Sequence, residues 1–297
     1  MGKKSRHHFD HSHFLVPTTG DFRLADRDPA FTEGLKNKKA AREALIDDVR
    51  LLAEGQEKLW ATGTHSVLVI LQALDAAGKD GAIKHVMSGV NPQGVDVTSF
   101  KAPNDEELGH HFLWRPMRKL PARGRIAIFN RSYYEEVLVV RVHPGFLDSQ
   151  VMPSRLRGQP LDQLWPIRFD EINAFERQLD RQDITVIKIF LHVSKEEQRK
   201  RLLARLEDSA KHFKFSGRDV EEREHWDSYQ HAYEQMLRAT STTHAPWYVV
   251  PADKKWFARA AVADIISSRL HSLGLEPPQP TTAQLAEIEK FRHLLTV

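Results

Sequence analysis

The stretch 67–86, Val-Leu-Val-Ile-Leu-Gln-Ala-Leu-Asp-Ala-Ala-Gly-Lys-Asp-Gly-Ala-Ile-Lys-His-Val, constrains the fold more than any other part of the chain. Its first five residues are all apolar, which suits a strand covered on both faces, as in a parallel sheet. A small-residue turn carrying Gly78 and Lys79 follows, and then a helical pattern. Strand, tight turn and helix make a phosphate-binding loop: turn amides and the positive helix end face an anion, and the lysine adds a point charge. The match to G-x-x-x-x-G-K-[ST] is imperfect, because Ala73 stands at the first glycine and Asp80 at the Mg²⁺-binding hydroxyl. Asp75, inside the loop, is the informative departure.

At 297 residues the chain is long enough for one large α/β domain or two small ones. With no cysteine it has no disulfide framework, thiolate metal site or cysteine nucleophile. A reducing cytoplasm and a soluble protein are expected, since no apolar run approaches the length of a membrane span. The net charge of +3 demands no polyanionic partner, but its distribution is uneven. Residues 115–131 hold six Arg or Lys and no acid, and 195–218 hold eight against four acids. Such runs are either solvated helix faces or anion-binding surfaces, and their place beside a phosphate loop favours the second.

The first thirty residues are polar and rich in histidine (His7, His8, His11, His13), and are expected to form a flexible arm, with a metal site in the histidine cluster as the alternative. Residues 35–60 read as a helix with Leu45, Val49, Leu52 and Leu59 on one stripe. Further strands are expected at 95–100, 126–129, 184–191 and 246–250, alternating with helices. The fold class is therefore α/β, with a doubly wound parallel five-stranded sheet. Ser194 and Glu197 form a capping box that opens an Arg-rich helix, a basic turn follows near 211–217, and a second helix runs to 239. This hairpin, 195–238, is read as a lid closing over a phosphate site, with ordinary helical packing as its other reading, within a domain of residues 31–275. Pro277, Pro278 and Pro280 then make a stiff linker to a last helix within 276–297, read as an arm for self-association.

Phosphoryl transfer needs in-line positioning, neutralised non-bridging oxygens and usually Mg²⁺. Lys79 and the amides of 77–81 (Ala77, Gly78, Asp80, Gly81) can cradle a phosphate, with Lys84 on the helix behind them. Asp75 is the best carboxylate for Mg²⁺, with Mn²⁺ as the alternative metal; its other reading is a side chain bonded to loop amides. Arg131, at the end of a buried strand, is placed to clamp a phosphate oxygen with its planar fork. Asn130 stands where an acidic residue often binds Mg²⁺ through water, and an amide adds no charge there. Glu135 and Glu136 either supply that charge or are ordinary helix N-terminal acids.

Asp75-Ala-Ala-Gly-Lys-Asp-Gly81 together with Asn130-Arg-Ser-Tyr-Tyr-Glu-Glu-Val-Leu-Val-Val-Arg-Val142 resembles the type-2 polyphosphate kinase family. Ser194-Lys-Glu-Glu-Gln198, Lys211-His-Phe-Lys-Phe215 and Ala245-Pro-Trp-Tyr-Val249 are similar to it as well. The resemblance implies a P-loop kinase fold like thymidylate kinase with a helical lid. It also implies reversible Mg²⁺-dependent transfer between inorganic polyphosphate and adenine or guanine nucleotides. On motif position it makes Asp75, Lys79, Asn130 and Arg131 catalytic, with Asp75 on the metal. Lys101, Arg141, Arg201, Arg205, Lys211 and Lys214 become phosphate-binding, and Tyr134 and Glu135 nucleotide-binding. Asn130, where many members carry Asp, is similar to the subgroup acting on nucleoside monophosphates as well as diphosphates. A homodimer or homotetramer is implied, with neither nucleic acid nor membrane as partner. The rivals are an ATP-dependent nucleoside monophosphate kinase and a non-catalytic polyanion binder, the latter disfavoured for single strands by few aromatics among the basic runs.

Overall fold

A computed structural model describes residues 9–296 apart from 33 and 215, and omits the side chains of 155, 211, 213, 214 and 293. In chain order its elements are α1 (Lys38–Thr62), β1 (Ser66–Gln72), α2 (Lys79–Val86), β2 (Val95–Ser99), α3 (Asp105–Leu108), α4 (Trp114–Met117) and β3 (Ile126–Asn130). There follow α5 (Val139–Val142), α6 (Leu161–Asp180), β4 (Ile184–His192), α7 (Lys195–Glu207), α8 (Gly217–Glu221), α9 (Trp226–Thr240), β5 (Trp247–Pro251), α10 (Lys255–Ser272) and α11 (Thr282–Thr296). Short 3-10 turns at Tyr133–Val137, Ser209–Lys214 and Glu222–His225 join several of these.

The five strands form one parallel sheet in the order β2-β3-β1-β4-β5. The chain reverses its winding direction at β1, which places the carboxyl ends of β1 and β3 beside the crevice where open α/β sheets bind ligands. Alternation along β1 serves both faces: Val67, Val69 and Leu71 enter a core shared with α1, α2 and α10. Leu68 and Ile70 enter a second core shared with α6 and α9. The segment 195–238, expected to act as a lid, folds as α7, a 3-10 turn, α8, a second 3-10 turn and α9.

The predicted capping box of α7 is only half formed. The Ser194 hydroxyl accepts from the Glu197 N–H, but the Ser194 N–H donates to Asp253 at 2.8 Å, and Glu197 is taken by Arg201. The helix α1 buries Leu52 and Leu59 of the expected stripe and half-buries Leu45 and Val49, and it adds Asp48 and Gln56 to the buried face.

The expectation of a flexible arm over 1–30 needs correction for its described part. The Val16 N–H donates to the Trp247 carbonyl and the Val249 N–H to that of Phe14, so residues 14–16 cover the open edge of β5. Phe9 and Phe14 reach the core against Phe257, with the Phe9 and Phe257 rings edge-on at 5.4 Å. These two phenylalanines and the backbone bonds to β5 outweighed the polar composition that suggested an arm. His11 pairs with Asp264 at 2.5 Å; His7 and His8 lie outside the described residues. At the other end α11 is exposed along its length and turns Leu285, Ile288, Phe291, Leu294 and Leu295 to solvent. Among the described residues no helix is long and apolar enough to cross a membrane.

Candidate active site

The loop between β1 and α2 turns with two left-handed residues, Ala76 (φ +62°) and Gly78 (φ +114°). Gly78 is also the N-cap of α2, a conformation that costs a glycine little. Lys79, the first residue of α2, folds back under the loop, and its Nζ donates to the Ala73 carbonyl at 2.7 Å and to that of Leu74 at 3.4 Å. Burial and the nearby Arg131 charge pull its ammonium down to about 8, against the opposing pull of Asp75 and Glu135.

Arg131 follows β3 in a left-handed conformation (φ +64°), with its N–H bonded to the Leu71 carbonyl at the end of β1. Its guanidinium bridges two acids: Nη2 donates to Asp75, and Nη1 donates to Glu135 at 3.2 Å. Glu135 and Asp75 hold the guanidinium firmly charged against the cost of burial. Burial would raise the Asp75 carboxyl, but the charges of Arg131 and Lys79 outweigh it and keep the group below its ordinary value. The Gln72 amide, oriented with its nitrogen toward Glu135, donates to it at 2.9 Å. Asp75, Lys79, Arg131 and Glu135 thus form one alternating cluster of charge at the switch point of the sheet.

Asn130 does something different from what its position suggested. Its Nδ2 donates to Asp80 Oδ1 at 2.8 Å, so the amide tethers the first turn of α2 to β3. A carboxylate at 130 would set two like charges against each other at that distance.

Side chains of the 195–238 segment approach the cluster. Arg205 Nη1 donates to Asp219 Oδ2 at 3.0 Å, and both groups lie within electrostatic reach of Asp75. Burial and the Asp75 charge push the Asp219 carboxyl up, while Arg205 opposes them. Tyr229 and Tyr233, on α9, face the same charges, and burial raises both hydroxyls. Tyr233 also stacks on Phe190 at 4.3 Å.

Three predicted residues stand elsewhere. Tyr134 is completely buried under the sheet, where its hydroxyl donates to Glu176 at 2.6 Å and accepts from Lys188 at 2.9 Å, so it is no nucleotide ligand. Arg201 is 6% exposed and spends its donors on protein carbonyls and Glu197, which removes it from the phosphate ligands. Arg141 lies over the Trp165 ring at 5.7 Å, with a buried Nη1 that has no partner, apart from the cluster. Among the described residues, no contact joins Lys84 or Lys101 to the cluster; both are exposed. The Lys211 and Lys214 side chains lie outside the described residues.

Two residues went unforeseen. Asp219 lies in a polar stretch with nothing local to mark it, and only the folding of the lid brings it over Asp75. Arg259 reaches the first turn of α2, where a Cβ on Gly81 would sit 3.4 Å from its Nη2. Its signal was legible, as a lone guanidinium in the otherwise apolar run 256–263. Beside Glu136 a cavity of about 240 Å³ opens between α3, α6 and the 150–156 loop, lined by His111, Phe112, Arg115, Gln150, Arg168 and Glu171 among others.

The family model described as polyphosphate kinase 2 matches residues 35–276. The chain belongs to the polyphosphate kinase 2 family. An ADP-polyphosphate phosphotransferase of Rhodopseudomonas palustris is 48% identical over 261 residues, 88% of this chain and 89% of that protein. An AMP/ADP-polyphosphate phosphotransferase of Meiothermus ruber is 45% identical over 271 residues, 91% of this chain and 96% of that protein. The crystal structure of polyphosphate kinase 2 from Arthrobacter aurescens superposes with a TM-score of 0.85 at 40% identity, covering 96% of this chain and 98% of that one. Membership in the polyphosphate kinase 2 family accounts for a phosphate loop with its own carboxylate and for a sheet of P-loop kinase order.

Proposed function

We propose that this polyphosphate kinase 2 member transfers the terminal phosphoryl group of inorganic polyphosphate to AMP and ADP, with GMP and GDP as further acceptors, in a reversible reaction. The observation that carries the reading is the Asp75–Arg131–Glu135 cluster beside Lys79, at the carboxyl ends of β1 and β3 and under a basic lid. An acceptor phosphate oxygen attacks the terminal phosphorus in line. The bond to the next phosphate breaks, and the chain leaves one unit shorter with the electron pair on its new terminal oxygen. Lys79 and the amides at the start of α2 orient the donor phosphate. Arg131 turns from its acids toward the non-bridging oxygens, whose charge competes with that of Asp75 and Glu135. The Glu136 cavity is large enough for the acceptor's base.

The donor set also fits a catalytic Mg²⁺ or Mn²⁺. Asp75 stays ionised and Asp80 stands five residues on across the loop, while no group of three or more acids or histidines forms a cage among the described residues. Mg²⁺ suits such a place, since it accepts one or two carboxylates and takes its other ligands from phosphates and water. Bound there, the metal neutralises charge on the non-bridging oxygens. The exposed apolar stripe of α11 supports assembly into a homodimer or homotetramer.

The test is incubation with Mg²⁺, AMP or ADP, and either long-chain polyphosphate or ATP, followed by chromatography of the nucleotides. Formation of ADP and ATP from polyphosphate supports the reading. Brisk turnover of ATP with AMP and none with polyphosphate would establish the monophosphate kinase instead.

A further inference from the structure

Five consecutive carbonyls of the phosphate loop are held by side chains. Lys79 takes those of Ala73 and Leu74 from below. From the lid side, Gln198 Nε2 donates to Asp75 O at 3.0 Å. One turn on along α7, Arg201 Nη1 donates to Ala76 O at 3.2 Å and to Ala77 O at 2.6 Å. The other arm of the same guanidinium, Nη2, donates to Ala252 O at 2.6 Å and Asp253 O at 3.1 Å, in the turn between β5 and α10. Its Nε donates to Glu197 at 2.8 Å. A guanidinium has five N–H donors, and these contacts use every one. No donor remains for a phosphate oxygen.

In a trans peptide the carbonyl of one residue and the N–H of the next point in opposite directions. Drawing the carbonyls of Asp75 and Ala77 toward α7 therefore turns the N–H groups of Ala76 and Gly78 the other way, into the site. The Ala77 N–H is engaged within the loop, by the Leu74 carbonyl at 3.3 Å. We propose that Arg201, seconded by Gln198, is a positioning residue: it fixes the direction of the loop amides that receive the transferred phosphoryl group and does not itself bind polyphosphate. Its neighbour one turn along, Arg205, faces Asp75 and is the lid arginine free to exchange its acid for a phosphate. The first two turns of α7 thus belong mechanically to the phosphate loop, and the closing part of the lid begins beyond them.

The inference rests on the phosphoryl-transfer reading above, and two independent readouts separate their failures. The full-length protein and its Arg201→Gln, Gln198→Met and Arg205→Gln variants are assayed with polyphosphate and ADP across a range of KCl, and amide hydrogen exchange of residues 73–81 is followed without substrate. Arg201→Gln is expected to lower kcat on the order of 10²-fold, the scale of a small misplacement at a reacting centre. Its KM for polyphosphate stays within about twofold of wild type, its salt dependence is unchanged, and its loop amides exchange faster. Gln198→Met, which removes one bond to the loop and the bond that Gln198 Oε1 accepts from Arg223, shows the same pattern more weakly and serves if Arg201→Gln does not fold. Arg205→Gln raises the KM, flattens its salt dependence and leaves loop exchange as it was. A raised KM and flattened salt dependence in Arg201→Gln, with unchanged loop exchange, would overturn the proposal. An inactive wild type would refute the activity reading alone, and loop exchange would still judge Arg201.

Discussion

Arg131 ties the end of β3 to β1 and to the phosphate loop. It holds a left-handed backbone conformation without being glycine, an arrangement that persists only where surrounding contacts fix it, here the bond to Leu71 and the two acids. Replacing it by lysine keeps the charge and loses the fork that spans Asp75 and Glu135. Arg131→Lys is therefore expected to lower kcat on the order of 10²-fold or more with thermal stability little changed, measured by steady-state kinetics beside a melting curve. Asp75, Lys79 and Arg131 were legible in the sequence because each sits at a fixed offset from a strand end, so local pattern already determines where it points. Tyr134 and Arg201 were not. Tyr134 lies three residues past Arg131, yet a 3-10 turn sends it under the sheet. Arg201 shares a helix with Arg205, and only the packing of that helix on the loop distinguishes a saturated guanidinium from an available one.

At the scale of elements, two buried polar contacts link helices to the sheet and to each other. Lys188 on β4 and Glu176 on α6 are wholly buried and 2.6 Å apart, with Tyr133, Tyr134 and the Thr240 carbonyl completing the network. The sheet's alternation puts Lys188 on the same face as Val186 and Phe190, so the strand was readable from its apolar run while the partner of its one charge was not. Lys188→Met leaves Glu176 unpaired and is expected to cost about 3–5 kcal/mol in urea unfolding. The double variant with Glu176→Leu should recover most of that loss.

On the other face, Asp48 of α1 is fully buried against Ser267 of α10. Burial first, and the charge of Asp264 second, push its carboxyl from 3.8 up to about 8. The native state then keeps a proton that the unfolded chain releases, so this group's contribution to stability falls as pH rises between those values. Asp48→Asn should remove that fall, and its stability advantage over wild type in denaturant titrations should widen from pH 5 to pH 8. An advantage that narrowed over this range would place the carboxylate elsewhere.

For the whole molecule, the alternation of strands and helices sufficed to read the architecture, since each buried strand is a short apolar run and each crossover a helix. The ends were harder to read. The N-terminal segment attaches to β5 through backbone bonds that carry no residue signature, whereas α11, behind its proline linker, touches little and keeps an apolar stripe in water. Deleting 282–297 should therefore leave unfolding within about 0.5 kcal/mol of wild type, the range of changes that touch no buried feature. Sedimentation of the shortened protein should show a smaller assembly.

If the cluster at the ends of β1 and β3 moves phosphoryl groups from a polymer to a nucleotide, polymer loss and nucleotide gain must match. A phosphorus NMR time course with long-chain polyphosphate, Mg²⁺ and ADP tests it directly. Internal chain phosphates should decline one for one with the appearance of ATP, orthophosphate should stay flat, and Asp75→Asn should abolish the exchange. Orthophosphate rising in place of ATP, or a polymer signal unchanged while ATP and AMP interconvert, would rule out transfer from polymer to nucleotide at this site.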